Sequence, residues 1–154
     1  MKIPVGNDTV ATVTALAPMP RNTEDDVIYR LTINLSISRD DATELFKELK
    51  NFLALAADSP KVLLIPAPLI DEAWHTFILF TRMYQAYCQE QFGRFIHHRP
   101  ATEHEMLHGS KGELADAIAV TKRMMEKRFG TLSDYWTYPA EASWSSDPSS
   151  GDPD

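Results

Sequence analysis

The sequence predicts a mainly α fold, a small helical domain of three principal helices plus a short one, with an N-terminal β-hairpin. Three observations carry this expectation. Apolar residues recur at helical spacing from Ala42 to Ala56 and again from Trp74 to Cys88. Serine or threonine stands three residues ahead of an acidic residue at Ser38/Asp41, Thr102/Glu105 and Ser110/Glu113, and Gly93 and Gly130 follow the last apolar positions of two helices. In contrast, Val27, Tyr29, Leu31, Ile33, Leu35 and Ile37 alternate with polar residues, the period of a half-buried strand.

Taken in order, residues 1–22 form an N-terminal segment whose Thr- and Val-rich stretch Val10 to Leu16 reads as a first strand. The loop-like APMPRNTEDD then leads into the alternating run from Val27, which pairs with it as a hairpin. The first helix starts at the Ser38 cap and carries Ala42, Leu45, Phe46, Leu49, Phe52, Leu53 and Ala56 on one face. Pro60, Pro66 and Pro68 mark the connection to a second helix, which is expected to run unbroken from near Asp71 to about Phe92 and to form the centre of the domain. A short helical turn after Thr102 and a longer helix from Ser110 to Arg128 complete the set. Tyr135, Trp136, Tyr138 and Trp144 fold back as an aromatic lid, or present a surface to a protein partner. Residues 23–144 are thus expected to be one globular domain, and residues 145–154, SSDPSSGDPD, an acidic solvated tail.

Composition narrows the function classes. At 154 residues, 44% hydrophobic and 24% charged, the chain fits one ordinary domain with a single core. Its formal charge of −7 argues against general nucleic-acid binding or attraction to anionic lipid, and no apolar run approaches membrane-spanning length. One cysteine allows no internal disulfide, and Asn7 and Asp8 interrupt any signal-peptide core, so a cytoplasmic location is expected.

The chemistry-bearing residues fall into two groups. Asp71 and His75 are four apart on a predicted helix, so both lie on one face, where they could hold a metal or form a carboxylate-oriented imidazole. Asp71 also has an ordinary reading as a carboxylate at a helix start, with His75 bonded to it. The second group is Cys88, His97, His98, His104 and His108, a thiol and imidazoles of the kind zinc prefers. Here too a plain alternative exists, since an unpaired cysteine on an apolar helix face is usually a small core residue. The candidate metal ligands are Asp71, His75, Cys88 and His97, with zinc or another transition metal as the cofactor.

Helix arithmetic separates the groups. Uninterrupted helix from residue 75 to residue 92 spans ~25 Å, and five extended residues reach only ~17 Å. On that geometry His97 cannot return to His75, whereas His104 or His108 could. One shared site would require a shorter or broken helix.

Asp71, Trp74-His75, Ile78-Leu79, Thr81, Tyr84, Cys88, Gly93 and His98-x-Pro100, with the upstream Phe52-Leu53-x-Leu55, resemble the motif of the glycine-rich domain-containing protein-like family. The resemblance covers residues 39 to 100 and implies a domain without a defined reaction. Many members carry a second histidine two residues after the first, where this chain has Phe77, and the resemblance therefore implies the loss of one ligand from any site built on both.

No phosphate-binding glycine loop, serine elbow or His-Glu-x-x-His motif is present. The expected function is a non-enzymatic binding or protein-interaction module, stabilised by a transition metal. The competing expectation is a small metal-dependent hydrolase using His75 and Asp71.

Overall fold

A computed structural model describes residues 21–139. Six helices follow in order, α1 (Glu24–Leu35), α2 (Arg39–Asp58), α3 (Pro68–Leu79), α4 (Thr81–Phe92), α5 (Glu103–His108) and α6 (Lys111–Phe129), with a 3-10 turn at Asp134–Trp136. No strand occurs among the described residues. The expected second strand of the hairpin is α1, and the expected first strand, Val10 to Leu16, lies outside the described residues.

The physical reason for that correction is at the start of α1. The Asp26 carboxylate accepts the Thr23 backbone N–H at 2.6 Å, and Glu24, Asp25 and Asp26 fill the first turn, where the helix dipole favours negative charge. Val27, Leu31 and Leu35 satisfy a period of two and an i, i+4 pattern equally well. Burial follows the helical choice: Val27, Ile28 and Leu31 enter the core, while Tyr29 and Ile33 remain exposed.

The starts of α2, α5 and α6 are as the sequence predicts. Ser38, Thr102 and Ser110 each accept the backbone N–H three residues on, at 3.0, 3.2 and 3.3 Å. Gly93 ends α4 with φ 67°, a left-handed conformation that a Cβ would strain.

The helix that begins near Asp71 is central in its α3 part, which packs against α1, α2, α4 and the 3-10 turn, and it shares this place with α2. The latter packs against α1, α3, α4 and α6, and its Leu45, Phe46, Leu49, Phe52 and Leu53 are essentially inaccessible. Each such side chain contributes roughly 1.5–3 kcal/mol through removal from water. The carbonyls at its C-terminal end are met from outside, by Arg94 at Ala57 and by Arg128 at Ala54, and Arg128 also pairs with Asp58 at 2.6 Å. The connection from α2 to α3 is anchored at Ile65. Its N–H donates to Thr121 Oγ1 of α6 at 2.9 Å, and its carbonyl accepts from the Tyr138 hydroxyl at 2.7 Å.

Trp136 is buried and donates its indole N–H to Glu48 at 3.0 Å, with Tyr135 and Tyr138 partly buried beside the core. These three form the lid that the sequence suggests, and Trp144 lies outside the described residues. Among the described residues no helix is long and apolar enough to cross a membrane.

Candidate metal centre

Two departures from the expected helix create the site. First, α3 begins at Pro68, which needs no N–H partner in the first turn, and the Asp71 N–H already makes a helical bond to the Ala67 carbonyl at 2.9 Å. Asp71 is therefore past the cap position, and its carboxylate faces His75 and His98 instead.

Second, the helix is broken at Phe80. Its N–H bonds to Phe77 rather than to residue 76, and Tyr84 restarts helical bonding from the Phe80 carbonyl at 2.8 Å. Ten residues of continuous helix would set the Trp74 and Tyr84 backbones ~15 Å apart. With the break, the Trp74 indole N–H donates to the Tyr84 hydroxyl at 2.9 Å, and that hydroxyl donates to the Ile96 carbonyl at 2.6 Å. Burial raises the Tyr84 phenol well above its usual range, so it stays protonated as this bond requires. The segment after Gly93 is thereby held beside α3, with Ile96 buried, His97 exposed and His98 turned inward.

His98 thus meets the residues from which the unbroken helix would have separated it. Its Nε2 lies 2.8 Å from Asp71 Oδ1 and 3.1 Å from His75 Nε2, and His75 Nε2 lies 3.5 Å from Asp71 Oδ2. The Trp74 ring packs edge-on against the His98 imidazole at 4.5 Å between centroids.

Of the expected ligands, Asp71 and His75 come together, and Cys88 and His97 stand elsewhere. The Cys88 side chain is fully buried in the core, on the face of α4 that also carries Tyr84. His97 contacts the Phe95 ring at 4.8 Å. His104 and His108 pack on each other across one turn of α5, at 5.0 Å. Phe77 is also fully buried, edge-on to Phe46 at 5.0 Å and to Tyr84 at 5.1 Å, so a side chain at this position points into the core rather than toward His75. His98, which the sequence places in the group of Cys88 and His97 and leaves out of the candidate ligands, is the residue that joins Asp71 and His75. Alternation could have found it, because in an extended segment an apolar Ile96 facing inward brings residue 98, not residue 97, to the same side.

The donor set suits a divalent transition metal. Tetrahedral zinc–nitrogen bonds of 2.0–2.1 Å place two ligand nitrogens about 3.3 Å apart, close to the 3.1 Å between the two imidazoles. An imidazole nitrogen has one in-plane site, taken by a proton or by a lone pair. His98 Nε2 faces both Asp71 and His75 and can make only one linear hydrogen bond, whereas a cation within the triangle meets all three donors. Side-chain exposures of 11% for His98, 32% for Asp71 and 44% for His75 leave one side open to solvent. Glu72 Oε1 lies 3.7 Å from His75 Nδ1 and adds negative charge beside the ring.

Residues 25–117, well over half of the chain, match the family described as UCP032817-like. The chain belongs to the UCP032817-like family. This corrects the likeness to glycine-rich domain-containing proteins drawn over residues 39 to 100; the UCP032817-like match is longer and extends from α1 into the start of α6. The family is uncharacterised, and Asp71, His75 and His98 all fall within its matched region. No curated protein and no solved structure matches the chain.

Proposed function

We propose that the domain is a transition-metal-binding module in which Asp71, His75 and His98 hold one divalent ion, zinc fitting the nitrogen and carboxylate donors best. The observation that carries this reading is the convergence of three potential ligand atoms, all within 4.8 Å of one another, from α3 and from the segment beyond α4. An ion there ties residues 94–100 to α3, so binding and folding stability are linked. The lone, buried Cys88 fits a cytoplasmic setting.

A second reading, a small metal-dependent hydrolase, is favoured by one feature. Three protein ligands with an exposed side are the pattern of catalytic rather than closed structural zinc sites. A zinc ion would supply Lewis acidity there.

The deciding experiment is elemental analysis of untagged protein, followed by zinc titration of the metal-free form. One equivalent is expected, and zinc at 100 times its dissociation constant should stabilise the fold by about 2.7 kcal/mol. Absence of binding would overturn both readings. Zinc-dependent turnover of simple phosphate or carboxylate esters that disappears in His75→Ala would favour the hydrolase.

A further inference from the structure

Tyr84 lies one helix away from the three candidate ligands, yet its hydroxyl bonds to both sides of the site. It accepts from the indole of Trp74, the residue directly before His75, and donates to the carbonyl of Ile96, two residues before His98. Trp74 in turn packs against the His98 ring. Both bonds are buried, and the phenol ring is fixed by edge contacts to Phe77 at 5.1 Å and Phe95 at 5.2 Å.

We infer that Tyr84 is the positioning residue of this site, its hydroxyl joining the Trp74 indole to the Ile96 carbonyl and so setting His98 against Asp71 and His75. The assignment rests on the metal reading for its purpose but on hydrogen-bond geometry for its mechanism. Ile96 is also packed into the core, but among the described residues the other hydrogen bonds of this segment do not hold the backbone ahead of His98: Arg94 reaches away to Ala57, and Arg99 pairs with Glu105 at 2.9 and 3.0 Å. Orienting contacts behind metal ligands typically change affinity by about 10- to 100-fold.

The test compares Tyr84→Phe with Tyr138→Phe. The second variant loses a similar tyrosine-to-carbonyl bond, to Ile65, at a position outside the triad and its Trp74–Tyr84–Ile96 support. In metal-free protein, nuclear Overhauser contacts between the Trp74 and His98 rings should weaken, and the His98 ring signals should move, in Tyr84→Phe alone. In zinc competition titrations Tyr84→Phe should bind about 10- to 100-fold more weakly, and Tyr138→Phe should match the wild type. Equal ring signals in the two variants would overturn the inference. If the wild type takes up no zinc, the metal reading fails and the ring signals of the metal-free protein still decide the role of Tyr84.

Discussion

His98 Nε2 stands 3.1 Å from His75 Nε2, although 23 positions of chain separate the two residues. The pairing depends on a one-residue interruption at Phe80, and on the Tyr84 hydroxyl that the interruption brings to the Trp74 indole. One histidine lies on α3 and the other beyond the end of α4. A long-range hydrogen-bonded brace turns them into neighbours.

The adjacent histidines should therefore behave differently. His98→Ala is expected to weaken zinc binding by more than about 100-fold, beyond the effect of losing an orienting contact. His97→Ala, which removes an exposed ring packed on Phe95, should leave affinity unchanged. Isothermal titration with zinc checks both, and equal losses would place the site elsewhere.

Placing a histidine at position 77 should not build a better site. Phe77 is enclosed by Phe46, Tyr84 and Tyr87, so Phe77→His removes ring contacts and buries a polar group without a partner. A loss of roughly 3 kcal/mol is expected in urea unfolding, near the cost of truncating a core aromatic residue. Zinc stoichiometry should not rise.

Cys88 tests the distinction between a core residue and a ligand. Its side chain is fully buried, so Cys88→Ala should cost about 1 kcal/mol or less as a small core truncation and leave zinc stoichiometry unchanged. Slow modification of the thiol by a maleimide in folded protein, with rapid modification in urea, is the accompanying chemical check.

Alkaline pH should unfold the domain through its tyrosines. Burial raises the phenols of Tyr84 and Tyr138 strongly and that of Tyr87 to about 12, all above the ordinary value of 10.0. A folded-state value above the unfolded one gives stability that is complete below pH 10 and is lost as pH rises toward the folded value. Ultraviolet titration should show the buried phenols ionising together with loss of helical circular dichroism above that pH. Ionisation of Tyr84 with helicity intact would contradict its burial.

Most of the helical framework was legible because local chemistry encodes it. Ser38, Thr102 and Ser110 cap the helices that their spacing predicts, and the face from Ala42 to Ala56 is the one α2 buries. The strand expected from Val27 is a helix because Val27, Leu31 and Leu35 fit two periods, and the Thr23–Asp26 cap that decides between them looks like loop composition. Asp71 and His75 were legible as a pair through their i, i+4 spacing. Their third neighbour was not, because Phe80 is neither glycine nor proline. The break there is a tertiary effect, supported by side-chain bonds from Tyr84 to residues 10 and 12 positions away.

The interruption at Phe80 also makes the domain sensitive to chain length. Each residue of a helix turns ~100° about its axis, so inserting or deleting one residue between His75 and Tyr84 would swing the phenol to a different face of α4. The Ile96 carbonyl would lose its donor, and the returning chain would be indexed to the wrong side of α3. Point substitutions across Ile78 to Met83 preserve this phase, whereas a single-codon indel there resets it.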